Sequence, residues 1–590
     1  MRSLFNLVYT ESWRLFVRTL QNDERHQRFV SIVLVTNILS AFVQGFIPLV
    51  WLLFVDSIVV FLAGDSSIDK LRFDIIFLSA LFFLLRGTQI LCVAILERRV
   101  GKFRASLSAG LRGKLFRKFQ TMSFAYFDKR PVGELMSNLW SDTNLVSNLV
   151  TSGLNSLTAS VIGVVVMLSI IFFYSSALSL LIIVTIPPLF LVAFGLHKRI
   201  GLRARQAMQL GDEVNVFFGE SLDGIHISKA FNKEQFLADR FNLKSSAYQD
   251  VSQKIVWLSS FYAPLVICLS SVAVCLILVF GGVLSMNAVS GISIGTWGAF
   301  FGYTRGLFIP VLDITQFIVE YQTGIVSARR IFEKLDEQPA IHDKHSTGAF
   351  GAIKGDIKFQ NVFFEYKEDK PVLQKFNLHI RAGESIGLVG MTGSGKTTII
   401  NLISRFYEPH QGRILIDDID YRTRSIESYR SQIGVILQDP YLLTGDVYYN
   451  ITYGAPQTSR QEVKTLLMRL GADDLAEKLD HEVGGDGKFL SAGQQQIVAL
   501  ARVILKNPRI IIMDEFSSSI DTGMEERIQK GIADLIAGRT CVIIAHRLST
   551  IKNCDRILVI QDGQVVEDGS HGDLVECEGL YHALLEDYQR

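Results

Sequence analysis

Six long apolar runs crowd the first half of this chain, at 29–62, 73–96, 149–174, 177–196, 256–283 and 294–319. A helix needs about 20 apolar residues to cross a bilayer core. Hydrocarbon offers backbone N–H and C=O groups no partner, so each run is predicted as a membrane-spanning helix. An even number of spans returns both ends to one side. The links 97–148 and 197–255 are long and rich in Lys and Arg, whereas "YSS" and "SMNAVSG" are short and uncharged. Cationic loops stay in the cytoplasm, which places the long links and both termini there. The long links hold few Gly or Pro, so the spans are expected to continue as helical legs beyond the bilayer. Each is broken once, at "FDKRPVGEL" from Phe127 and at "ESLDGIHISKAF" from Glu220. A short transverse helix touching another domain, or a plain loop, fits either break.

Two cations lie inside the spans, Arg86 and Arg305. A charge at that depth costs about 2.5–3.5 kcal/mol on insertion scales and should face a partner or a wet cavity. Both residues can line a path for a substrate bearing a negative group, or pair with Asp56 or backbone carbonyls. Pro187 and Pro188 imply a kink in the fourth span. The N-terminal stretch 1–28 mixes aromatic and basic residues without a cleavable signal pattern. It suits a helix lying at a membrane surface, or an amphipathic helix packed on protein. With Lys and Arg totalling 59 against 58 acidic residues, and the cations scattered, nothing points to a nucleic-acid partner. Six cysteines without CxxC spacing suggest neither disulfides nor a zinc site.

After Glu333 the apolar runs stop. The polar stretch 336–356 reads as a linker into a soluble domain over 357–590, where β-like runs alternate with helices. "ESIGLVG" before "MTGSGKTTIINLIS" is strand, glycine loop and helix, the order a phosphate-binding loop requires. The loop runs Gly390-Met391-Thr392-Gly393-Ser394-Gly395-Lys396-Thr397-Thr398. Its glycines let backbone N–H groups crowd around the phosphates of ATP, and the helix presents its positive N-terminus. Lys396 supplies a point charge and Thr397 a hydroxyl for Mg²⁺. "RIIIMDEF" is a second buried strand ending in carboxylates: Asp514 suits the Mg²⁺ shell, and Glu515 can orient or deprotonate water. His546 ends a third apolar strand and is within reach of a γ-phosphate, or is a surface histidine. Gln438 in "VILQDPYLL" is equally ambiguous alone. Tyr366 can stack on adenine for about 1–3 kcal/mol, or fill a sheet edge.

Together these segments resemble an ABC exporter half-transporter over nearly the whole length. The phosphate loop, "ILQDP", "LSAGQ", "MDEFSSSID" and "AHRLST" follow that family's order and spacing. The two breaks in the membrane half are similar to its coupling-helix sequences. The resemblance implies an α-helical six-span transmembrane domain fused to an α/β P-loop ATPase domain, with divisions at 1–28, 29–335, 336–356 and 357–590. It implies Gln438 as a residue contacting Mg²⁺ and the attacking water. Ser491, Gly493 and Gln494 would meet the ATP held by an opposite cassette, and Asp521 would lie across the seam. The "LSAGQ" stretch carries no charge because hydroxyl, backbone N–H and helix dipole suffice for an anion. Each ATP site then needs two cassettes, so the partner is a second half-transporter, identical or different. Alternating access follows by resemblance: ATP joins the cassettes, coupling helices convey the motion to the spans, and hydrolysis resets them.

The sequence departs from the family pattern in three places. Ala492 replaces a glycine, "QQI" stands where many members have "RQR", and "VGGDGKF" lacks the usual glutamate and arginine. None removes a phosphate-contacting group. The expected cargo is an amphiphilic, drug-like or lipid-like molecule, with a lipid flippase or a siderophore importer on the same fold as alternatives. An ATP-binding membrane regulator is the rival from another class, and the intact Glu515 argues against it. The family style suggests a bacterial inner membrane.

Overall fold

A computed structural model describes residues 24–286, 292–343, 348–438, 440–514, 531–533, 535–544 and 551–589. Contacts divide the chain into two units, 1–120 with 132–337 and 121–131 with 338–590.

The first unit is helical. Five helices among the described residues are long and apolar enough to cross a membrane: Arg28–Leu62, Ile68–Gln120, Val132–Tyr174, Ser176–Asp223 and Glu234–Met286. The sixth expected span forms the first half of the helix Ile294–Asp336. Its Gly, Thr and Tyr residues dilute its hydropathy without interrupting the backbone. All six run well past bilayer length, as the scarcity of Gly and Pro in the links predicts. Pro187 and Pro188 sit within the fourth long helix, Pro48 in the first and Pro310 in the sixth. The "YSS" link is a single extended residue, Ser175, whose side chain caps the next helix by accepting from the Leu178 amide.

Asp56 settles one alternative for the intramembrane arginines. It is bonded by Ser293 Oγ and the Gly295 amide, both at 2.8 Å. The carboxylate of the first helix thus caps the positive N-terminus of the sixth. A Cβ on Gly295 would lie 2.4 Å from the Leu52 carbonyl oxygen, so only glycine permits this approach. Neighbouring core side chains include Leu52, Ile171, Ile182, Phe300 and Tyr303. The Tyr303 hydroxyl donates to the Gly45 carbonyl at 2.7 Å. The third long helix contains two π-turns, Asn138–Asp142 and Leu149–Gly153. Asp142, in the first of them, is buried and paired with Arg330 at 2.6 Å.

The second unit holds two sheets. Strands β1 (Ile357–Glu365), β2 (Pro371–Ile380), β4 (Gln411–Ile416) and β5 (Ile419–Asp420) form an antiparallel sheet in the order β2-β1-β4-β5. Strands β3 (Ser385–Val389), β6 (Ile433–Ile436), β7 (Ile510–Asp514), β8 (Thr540–Ile544), β9 (Arg556–Gln561) and β10 (Gln564–Gly569) form the other, in the order β10-β9-β3-β8-β7-β6. All its pairings are parallel except β9 with β10. β3 and β8 are buried at every position. Their sequences, SIGLV and TCVII, are mostly apolar and do not alternate with charged residues, as a sheet covered on both faces requires.

The first predicted break is the short helix Phe124–Asp128, which belongs to this second unit. Phe124 packs against Phe406 with ring centroids 4.4 Å apart, and the Tyr407 hydroxyl donates to Asp128. Burial and the Asp128 carboxylate raise the Tyr407 phenol well above its ordinary pKa. The second break is the helix Ile225–Ala230 in the first unit, where Ile227 and the following Phe231 are exposed.

Candidate functional site

Strand order assembles the site. β8 lies between β3 and β7, with Leu388 and Asp514 both registered against Ile544. Ile436 at the end of β6 pairs with Met513. The carboxyl ends of β3, β8, β7 and β6 therefore lie side by side, the edge where open parallel sheets bind ligands. The loop Gly390–Gly395 leaves β3 there, Asp514 ends β7, and Gln438 follows β6 as an exposed residue. Glu515, Asp521 and His546 lie outside the described residues.

The loop is shaped for a phosphate. Gly390, Gly393 and Gly395 have φ of 148°, 83° and 108°. A Cβ on Gly390 would sit 2.2 Å from the Ile560 carbonyl oxygen, so the loop closes only with glycine at that position. Met391, Thr392, Gly393 and Thr397 are exposed, while Ser394, Gly395, Lys396 and Thr398 are buried. Lys396 Nζ donates to the carbonyls of Gly390 and Met391, at 2.7 and 2.9 Å, which holds the ammonium beneath the loop. Gly395 caps the helix Lys396–Ile403 without any side-chain bond, so no side chain competes for the first-turn amides. Ser394 Oγ is buried with no hydrogen-bond partner among the described residues. A buried hydroxyl without a partner and an uncapped helix start fit the polyphosphate of ATP.

Tyr366 lies just beyond β1, partly exposed, with Phe364 and Tyr407 edge-on at 4.9 and 5.1 Å. Its hydroxyl accepts from Asn401 Nδ2 at 3.1 Å. Asn401 belongs to the helix that follows the phosphate loop, so the tyrosine is tied to that helix as well as to β1.

The helix Ala492–Lys506 begins at a reciprocal cap: Ser491 Oγ accepts from the Gln494 amide, and Gln494 Oε1 accepts from the Ser491 amide. Capping uses only a lone pair of Ser491, which leaves its O–H free to donate. Ala492 is exposed and Gly493 buried. Gln494 Nε2 donates to Asp474 at 2.6 Å. Two of the three departures from the family pattern meet, because Gln495 Nε2 donates to the carbonyls of Gly487 and Leu490, at 2.9 and 3.2 Å. A neutral amide there closes the "VGGDG" turn by donating to its carbonyls, without bringing a charge.

Sequence reasoning missed the cations that anchor this helix. Arg502 donates to the Asn450 carbonyl at 2.8 Å, to Asn450 Oδ1 at 3.1 Å and to the Tyr441 carbonyl at 3.3 Å. Lys506 Nζ donates to the carbonyls of Arg430 and Ile433, at 2.8 and 2.6 Å. Burial lowers the pKa of both. The available signal was spacing: they are the helix's only charges, and i and i+4 share one face.

Residues 30–311 match the family described as ABC transporter transmembrane region, and residues 373–518 match the family described as ABC transporter. The chain is 34% identical over 512 residues to the ATP-dependent lipid A-core flippase of Syntrophus aciditrophicus, covering 85% of this chain and 84% of that one. It is 32% identical over 482 residues to the "Probable multidrug resistance ABC transporter ATP-binding/permease protein YheH" of Bacillus subtilis, covering 81% and 71%. A solved structure of a bacterial Atm1-family ABC exporter with ATP bound superposes with a TM-score of 0.82 at 25% identity, covering 96% of this chain and 99% of that one. With its own transmembrane region and its own ATP-binding domain, the chain belongs to the ABC transporter family, as an integral membrane, ATP-driven exporter with ATPase activity.

Proposed function

We propose that the chain works as one half of a dimer in which two cassettes, facing the cytoplasm, share two ATP molecules and drive an amphiphile across the membrane. The observation that carries this is the shared edge of β3, β8, β7 and β6, which brings the phosphate loop, Asp514 and Gln438 to one place. Residues 390–398 bind the phosphates, Tyr366 takes the adenine, and Glu515, with His546 and Gln438, positions and activates the attacking water. Thr397, Gln438 and Asp514 are a hydroxyl, an amide oxygen and a carboxylate, a hard-oxygen donor set that suits Mg²⁺. The ion, when bound, neutralises charge on the transferring phosphoryl group. Ser491, Gly493, Gln494 and Asp521 complete the site of the opposite cassette, with the Ser491 O–H donating to a phosphate oxygen. Arg86 and Arg305 line the substrate path of the 29–335 domain, and the 1–28 segment lies at the membrane surface.

ATP turnover of the purified chain in lipid nanodiscs tests this, beside a Glu515→Gln control. Loss of a positioned general base should cost about 10²–10⁴-fold. Turnover at that margin supports a homodimer that completes its own sites. Turnover equal to the control, from protein that binds ATP, refutes the homodimer and requires a different partner half.

A further inference from the structure

In the membrane unit a cleft of about 210 Å³ opens where four long helices meet. Gln44 and Pro48 come from the first, Arg86 from the second, Met167 from the third, and Arg305 and Ile309 from the sixth. The two intramembrane arginines, 219 positions apart in sequence by subtraction of 86 from 305, thus line one space. No carboxylate is among the residues lining it.

Neither guanidinium is used up by the protein. Among the described residues Arg86 makes one hydrogen bond, Nη1 to Gln89 Oε1 at 2.9 Å, and lies over the Phe82 ring at 5.8 Å. Arg305 has no hydrogen-bond or ion-pair partner among the described residues. Two acids of the same helices are committed elsewhere. Asp56 caps the sixth helix, and Asp313, roughly two turns beyond Arg305, accepts from Ser160 at 3.4 Å. Two like charges lining one cleft within the spans repel, so the cleft favours an anion and opposes a cation. Arginine at both places, rather than lysine, favours the planar two-point recognition of a carboxylate or phosphate. Apart from the Gln44 amide, the remaining walls are largely apolar, with Ile47, Pro48, Met167 and Ile309 among them. The volume is below the roughly 300–1,000 Å³ of pockets that enclose a drug-sized ligand, so the cleft admits a head group and leaves an apolar remainder outside.

We propose that this cleft binds the anionic group, a phosphate or carboxylate, of an amphiphilic substrate, with Arg86 and Arg305 donating to it from two helices. The proposal deepens the transport reading above and takes from it only the idea that what binds is cargo.

The test uses the full chain in phosphatidylcholine nanodiscs and three amphiphiles with one dodecyl tail: dodecyl phosphate, dodecyl maltoside and dodecyltrimethylammonium. Equilibrium binding of each is measured to the wild type, Arg86→Gln, Arg305→Gln and the two lysine replacements. Dodecyl phosphate should bind saturably and at least tenfold tighter than the other two. Each glutamine replacement should weaken it about tenfold or more, since hydrogen bonds to charged groups are the strong ones, and lysine should recover part of the loss. Dodecyl maltoside affinity should not change. Saturable binding of dodecyltrimethylammonium as tight as that of dodecyl phosphate would overturn the proposal. So would dodecyl phosphate affinity indifferent to both glutamines, or no saturable binding of it at all. ATP binding checks that each variant is folded, and the lysine variants carry the comparison if a glutamine variant is not. Inorganic phosphate distinguishes the sources: displacement near the dodecyl phosphate Kd supports a free anion at this site, and no displacement supports a head group. The transport reading fails separately, by ATP turnover equal to that of Glu515→Gln, and that outcome does not touch the binding comparison.

Discussion

Arg502 and Arg305 each sit on a helix of mostly uncharged residues, and their surroundings treat them in opposite ways. In the nucleotide unit, Arg502 spends its guanidinium on two backbone carbonyls and a side-chain amide, and lies over the Tyr453 ring at 5.9 Å. In the membrane unit, Arg305 lines a cleft without a described hydrogen bond or ion pair. The difference separates a structural cation from one held for a ligand. A side chain whose donors are consumed by the backbone fixes geometry, here the position of the Ser491 helix relative to the segment after Gln438. One whose donors are left over is costly in the free protein and useful when something arrives to accept from it. The two units also differ in where their polar ties come from. Those of Arg502 and Lys506 in the cassette run mostly from side chain to backbone between a helix and distant loops, whereas the Asp56 cap ties two long helices together at their ends.

Substitutions can sharpen or break this contrast. The largest effect on stability is expected from Arg502→Leu, which strands the carbonyl of buried Asn450 and removes donors from Asn450 Oδ1 and the exposed Tyr441 segment. At about 1–3 kcal/mol for each buried group left unsatisfied, the cassette should lose about 3 kcal/mol, read as a lower unfolding midpoint in calorimetry. Arg502→Lys should recover only a part, because one ammonium lacks the forked reach of a guanidinium. Next comes Lys506→Met, which removes two donors but also a half-buried charge; a loss of about 1–2 kcal/mol is expected by the same measurement. Gln495→Ala should cost less, about 0.5–1.5 kcal/mol. Its effect should concentrate in faster hydrogen exchange of the 483–490 turn, where its amide now donates. The smallest effect belongs to Arg305→Gln, which breaks no described bond and should leave the unfolding midpoint within about 0.5 kcal/mol of wild type. A loss from Arg305→Gln as large as that from Arg502→Leu would erase the distinction between the two kinds of cation.

Much of the architecture was legible in the chain. Apolar runs of bilayer length declare themselves without any knowledge of neighbours. The phosphate loop is readable because its strand, glycines, lysine and helix are contiguous, although the contact that requires glycine at 390, with the Ile560 carbonyl, comes from distant chain. The ambiguous residues were those whose role depends on distant chain. Tyr366 alone is a tyrosine after a strand; the bond from Asn401 ties it to the phosphate-loop helix, and Phe364 and Tyr407 pack edge-on against its ring. Asp56 alone was a possible partner for Arg86 or Arg305, and only the packing of the first helix on the sixth brings Ser293 and Gly295 to it. Arg502 and Lys506 shared a helix face in the sequence, but their acceptors are backbone carbonyls, which no residue pattern displays.

The sequence by itself therefore determined the membrane-spanning helices, the alternation of strands and helices that follows, and the chemistry of the phosphate loop. These depend on hydropathy, backbone freedom and local spacing, all of which are properties of neighbouring residues. The tertiary structure decided the order β6-β7-β8-β3, the cap on the sixth helix and the meeting of Arg86 with Arg305. Those depend on which strands pair and which helices touch. Chain segments far apart compete for the same buried surface and the same backbone partners, and local pattern does not specify which of them meet.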